Sequence, residues 1–258
     1  MTQSKRRPSL MGHLQASEPP PFWTLLHALI AVGAYIVLWI AAISVTSVIS
    51  GEINQAALSV RTLTLSGLIS AAVITIGVIR FSRARHPQGW MEALRLDQPA
   101  GRNTLLGIVL FSLGFAWSID LLGAVLRLKG GQIVPPALEG LREGTVLAWL
   151  LAAVYGVILL PLAEGLVFGG LLYPALSHRL KDNRAAILVG AIIYMVVNLL
   201  LAPTQGQWYA VIQPLLMGVV MLSFRAYYQS ARAAILTRAA FGVFFVLAAA
   251  FSYGFGAG

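Results

Sequence analysis

The chain has 258 residues, 58% of them hydrophobic and only 10% charged, with a formal charge of +9 and no cysteine. A soluble domain carries roughly a quarter of its residues charged, so the composition excludes an ordinary soluble fold. The missing cysteine excludes disulfides, thiolate metal sites and a cysteine nucleophile.

Residues 1–21 are polar and open on Lys5, Arg6 and Arg7. A signal peptide would follow such charges at once with an apolar stretch. Here Ser17-Glu18-Pro19-Pro20-Pro21 intervenes, which reads as a short cytoplasmic tail ending in an extended lead-in. Residues 22–258 then form one transmembrane domain. Its apolar runs, each able to cross roughly 30 Å of hydrocarbon, predict an all-α polytopic bundle of about seven helices, over 22–49, 62–80, 104–126, 145–175, 185–202, 208–224 and 233–254. The fourth is too long for one straight crossing, and Pro161 within it predicts a kink with a carbonyl freed one turn back.

With the N-terminus in the cytoplasm, fourteen Lys and Arg collect inside, Arg225 and Arg238 among them. Only Arg61, Arg127, Lys129 and Arg142 lie outside. Positive charge stays inside, so the chain is expected N-in and C-out in the cell membrane. The charge excess is thereby a topology signal, with a lipid bilayer as partner and no nucleic acid. The main cytoplasmic loop, 81–103, holds Trp90, Met91, Ala93, Leu94 and Leu96. Part of it fits a short interfacial amphipathic helix, and all of it fits an ordinary basic loop with one aromatic anchor.

Charges within a membrane are costly and mark candidate sites. Three fall well inside the spans: Asp120, Glu164 and Arg238. Asp120 is near enough to a helix end to reach interfacial water. Glu164 has a short stem and apolar neighbours on both sides, so it must be protonated, paired or facing a wet cavity.

The stretch Pro161–Leu176, PLAEGLVFGGLLYPAL, resembles the first motif of the CAAX-prenyl-endopeptidase and bacteriocin-processing (CPBP, or ABI) membrane proteases. Their pattern there is Glu-Glu-x-x-x-Arg, commonly within Glu-Glu-x-x-Phe-Arg-Gly. Glu164, Phe168 and Gly170 match it, whereas Gly165 stands for the second glutamate and Gly169 for the arginine. Tyr194 to Asn198 occupies the place of Phe-x-x-x-His, and Arg238 to Gly242 that of a final His-x-x-x-Asn. The resemblance runs over about 90–245 and implies a CAAX-protease-like bundle. In the family the first glutamate is thought to activate water, the histidines to bind or polarise, and the asparagine to hold an oxyanion. Of these groups the chain keeps Glu164 alone, as a vestigial catalytic residue. Its four histidines, His13, His27, His86 and His178, miss every motif position. No metal site and no cofactor is expected.

Positions 165 and 169 share one helix face, and losing both partners of a glutamate–arginine pair avoids stranding one buried charge. The resulting Gly165-x-x-x-Gly169 suits close helix packing, though 25 glycines could also produce it by composition. If Arg238 takes the family's last histidine position, it is expected to meet Glu164; the rival is that it snorkels to cytoplasmic phosphates.

Three functions follow from the resemblance and its departures: a non-catalytic pseudo-protease that binds or regulates another membrane protein or membrane peptide, an active intramembrane endopeptidase relying on Glu164 with Tyr194 or Asn198 completing the site, and a small-molecule transporter or channel.

Overall fold

The computed structural model describes residues 20–52, 59–97, 101–126, 145–201 and 208–254. Most of the expected tail, and Arg127, Lys129 and Arg142, lie outside them. The described residues form helices and turns only. Seven helical spans are long and apolar enough to cross a membrane, which makes this a multi-pass membrane protein.

The first span, α1 (Leu25–Ile49), starts where the proline run ends. Thr24 caps it in a reciprocal capping box with His27, and the buried Trp23 donates from Nε1 to the Leu171 carbonyl at 3.0 Å. The second, α2 (Val60–Arg85), starts on Ser59, whose Oγ accepts from the Thr62 amide at 3.2 Å. Between α1 and α2 the contact is polar: Thr46 and Ser66 hydroxyls meet at 2.5 Å, and Thr62, Thr64, Ser66 and Ser70 are all buried. Small hydroxyl residues let membrane helices approach closely and bond across.

α2 overruns its expected end at 80 and stays helical to Arg85. Arg83 stacks on Trp90 at 4.6 Å and Arg85 on Phe81 at 5.7 Å, and basic residues suit the last turn of a helix. The loop that follows contains α3 (Trp90–Ala93), a single turn. It does not simply rest on the interface. Leu94 is fully buried, and the Arg95 carbonyl accepts from the Ala231 amide at 3.1 Å and the Ser230 hydroxyl at 3.2 Å. The loop therefore caps the start of the last helix.

α4 (Arg102–Val125) is peripheral and packs on the last helix, with Phe115 edge-on to Phe241. The fourth span runs over 146–180 as α5 (Val146–Ala153), a π-helical stretch Val154–Leu159, α6 (Leu160–Glu164), a second π-helical stretch Gly165–Leu172, and α7 (Tyr173–Leu180). Two wide segments flank Pro161. Wide i→i+5 turns absorb an extra residue within a helix and are common at functional sites. α7 stops at Lys181, whose φ of 55° is left-handed. α8 (Asn183–Leu201) and α9 (Trp208–Tyr228) pair as a hairpin, and α10 (Ala231–Gly254) closes the bundle.

Every residue from Ala163 to Leu176 is buried. An apolar helix with no exposed face must be enclosed by protein, and α1, α2, α8, α9 and α10 surround this one. The outer spans instead turn Leu26, Ile30, Ile40, Leu110, Leu200 and Phe251 outward, as lipid contact requires. Glu164 is thus carried on the central helix.

Candidate functional site

Glu164 is 2% exposed and Arg238 is 3% exposed. Arg238 Nε donates directly to Glu164 Oε2, forming a salt bridge between the central helix and α10. Tyr194, fully buried on α8, donates its hydroxyl to the same oxygen at 2.7 Å. The expected pair is therefore formed, and Arg238 does not snorkel. Tyr35 on α1 and Tyr155 in the first π-helical stretch are both buried in the core beside the central helix. These two tyrosines escaped the sequence reading, because a tyrosine in an apolar run looks like any other core aromatic.

The remaining motif positions divide into two groups. Asn198 turns back on its own helix, donating to the Tyr194 carbonyl at 2.9 Å. That bond serves the backbone at Tyr194 and leaves the hydroxyl of Tyr194 as the group aimed at Glu164. The three glycines are contact points between helices. A Cβ at Gly165 would collide with Ile235, one at Gly169 would lie 2.7 Å from the Ala234 Cβ, and one at Gly242 would run into the Gly156 carbonyl. The central helix and α10 thus touch almost backbone to backbone along the strip that carries Glu164 and Arg238. The packing reading of Gly165-x-x-x-Gly169 holds, and Gly242 belongs to the same seam.

Arg225 is a buried charge that hydropathy alone does not single out. It was counted as a charge at the cytoplasmic end of the sixth span, yet its side chain is fully buried. Its Nε donates to the Gly169 carbonyl at 2.8 Å, and its guanidinium lies 5.2 Å from the Tyr173 ring centroid. A carbonyl within a wide turn lacks its usual i→i+4 partner, and Arg225 satisfies it. The signal was present in the helix phase: Met217, Gly218, Met221, Leu222 and Arg225 fall on one buried stripe. Asp120 stands half-buried toward the Val125 end of α4.

Chemically, Glu164 Oε2 already holds two donors, one of them a cation that cannot take up a proton near neutral pH. To act as a base toward water, that oxygen would have to give up one of them. Among the described residues no three His, Cys, Asp or Glu side chains come together in a way that could hold a metal ion, and the guanidinium beside Glu164 repels one.

This constellation, a buried glutamate on the central helix of a seven-span bundle, defines a membrane-embedded helical protein of the CAAX-protease-like class. Residues 146–244 match the family described as Type II CAAX prenyl endopeptidase Rce1-like, so the chain is similar to that family over this stretch. The match begins at α5, later than the expected 90, and contains Glu164, Gly165, Gly169, Tyr194, Asn198, Arg238 and Gly242. No curated protein and no solved structure matches the chain.

Proposed function

We propose that this protein is a non-catalytic relative of the CAAX proteases, a pseudo-protease of the cell membrane that binds or regulates another membrane protein or membrane peptide. In this reading the N-terminus is cytoplasmic and the C-terminus lies outside. The observation that carries it is the closed state of Glu164: its Oε2 is taken by Arg238 and Tyr194. Peptide hydrolysis needs an activated water, a stabilised oxyanion and a proton for the leaving amine. At the motif positions the family would use, this chain has Gly165, Gly169 and Gly242, which offer no side chain and sit against a neighbouring helix. Loss of one electrostatic donor commonly lowers a rate by about a hundred- to a thousandfold, and several are absent together.

The test is reconstitution of the purified chain with prenylated CAAX peptides and transmembrane substrates, beside Glu164→Ala. No turnover above that variant is expected. Turnover that disappears in Glu164→Ala overturns the proposal in favour of an endopeptidase using Glu164. Affinity purification in mild detergent, with co-purifying membrane proteins identified, addresses the binding role directly.

A further inference from the structure

Three consecutive residues of the central helix, within about two turns of Glu164, are each met by a different part of the chain. The Gly169 carbonyl accepts from Arg225 Nε of α9 at 2.8 Å, and the Leu171 carbonyl from Trp23 Nε1 of the lead-in at 3.0 Å. Between them, a Cβ on Gly170 would meet Leu94 of the 86–97 loop at 3.4 Å and Leu166 at 3.9 Å. The three contacts form a collar around the central helix at the end of the bundle where α1 begins.

The middle member of the collar differs from the other two. Arg225 belongs to a long helix and Trp23 adjoins the start of one, whereas Leu94 directly follows the single turn α3. Leu94 is fully buried and is the only buried residue between His86 and Asp97; Met91 and Glu92 are exposed. The second hold on this segment is the Arg95 carbonyl, which accepts from the Ala231 amide at 3.1 Å and the Ser230 hydroxyl at 3.2 Å. Arg95 keeps a left-handed backbone there, φ 55°, a conformation that disfavours any residue with a Cβ. Trp90–Leu96 therefore bridges the central helix and α10, the two helices that carry Glu164 and Arg238. It is held by one buried leucine and two hydrogen bonds, and opposed by its own backbone. Segments with few buried contacts open locally while the rest of a protein stays folded.

We propose that Trp90–Leu96 is a lid. Closed, it covers the seam between the central helix and α10 at the Gly170 end. Lifted, it opens a way past Leu166 to the Glu164 cluster. Such a lid controls access equally for a peptide that is bound there and for one that is cleaved.

The chain has no cysteine, so a single thiol at Leu166, 2% exposed and beside Leu94, reads the lid directly. The full-length Leu166→Cys protein in sealed vesicles is treated with a charged, membrane-impermeant maleimide. Labelling of a buried thiol follows the population of the open form when reclosing is fast. Slow labelling is expected, from the side on which Ala84→Cys reacts. Adding Leu94→Ala should speed it about tenfold or more, as the loss of a buried leucine side chain allows. Adding Arg95→Gly, which relieves the left-handed backbone and keeps the carbonyl, should slow it severalfold. Opposite shifts cannot come from misfolding, which speeds labelling in both. Ile108→Ala, a truncation of a buried residue on α4, should leave the rate unchanged. Fast labelling of Leu166→Cys alone, no acceleration by Leu94→Ala, acceleration by both loop variants, equal acceleration by Ile108→Ala, or labelling from the opposite side overturns the proposal.

Discussion

Replacing Arg238 by Ala isolates the most consequential interaction in the bundle. The guanidinium and the Glu164 carboxylate lie on different helices and are 3% and 2% exposed, so neither is hydrated by bulk water. Arg238→Ala removes the cation and leaves the carboxylate with the single bond from Tyr194. Breaking a buried pair from one side costs about 3–5 kcal/mol, because the stranded charge loses its compensation. By contrast Tyr194→Phe removes one hydrogen bond to a charged group, about 1.5–3 kcal/mol. The double variant Glu164→Ala/Arg238→Ala removes both charges, and its cost should fall well below the sum of the single ones. Reversible unfolding of the four proteins in mixed micelles closes the double-mutant cycle. Residues in direct contact couple by about 0.5–3 kcal/mol, whereas independent sites add within about 0.3–0.5 kcal/mol. Additive costs at that level would refute the reasoning and return Arg238 to the role of a helix-end charge.

The helix seam predicts that Gly242→Ala, which forces a methyl against the Gly156 carbonyl, destabilises the bundle by about 1–3 kcal/mol, as overpacking does. Gly77→Ala, with open space at its Cβ, should be neutral or stabilising by about 0.5–1 kcal/mol in the same unfolding assay. Topology follows from labelling of exposed single cysteines: Ala84→Cys and Lys181→Cys should react from the cytoplasmic side and Arg61→Cys from the other, and labelling of all three from one side contradicts seven alternating spans. Hydrogen bonds from Ser59 hold the Glu52 carboxyl below its ordinary value of 4.5. Its contribution to stability is therefore present above that pH and is lost as pH falls through the lowered value. Acid unfolding of Glu52→Gln should lack that component, and identical acid curves for the two proteins would show that the bond does not matter.

Much of the fold could be read from the chain because hydrocarbon thickness fixes span length, and apolar runs such as 22–49 and 185–202 announce themselves. Helix ends were less legible. α2 continues to Arg85 because its arginines stack on Phe81 and Trp90, contacts that hydropathy does not encode. Glu164 and Arg238 stood out as charges in apolar surroundings, and the family resemblance suggested that they meet. Arg225 did not stand out because an arginine near a helix end can either snorkel or turn inward, and only the helix phase distinguishes the two. The seam of Gly165, Gly169 and Gly242 was half visible: the Gly-x-x-x-Gly spacing pointed to a contact, but its partner surface on α10 required the three-dimensional arrangement.

The two wide segments in the central helix also set its angular phase. In a straight α-helix, residues advance by about 100° each, so Gly156 and Gly165, nine apart, would face opposite ways. On α10 their counterparts Gly242 and Ile235 are seven apart, which keeps them on nearly one line. The enlarged turns rotate less per residue and swing Gly156 and Gly165 toward a common side, letting a seven-residue stride on one helix mesh with a nine-residue stride on the other. A residue deleted between Val154 and Leu159 would return that stretch to an ordinary α-helix with its phase nearly kept, whereas one deleted between Leu160 and Ala163 would turn everything before it by about 100°. The Gly156 contact would then point away from α10, although Glu164, Tyr194 and Arg238 all remained in the chain.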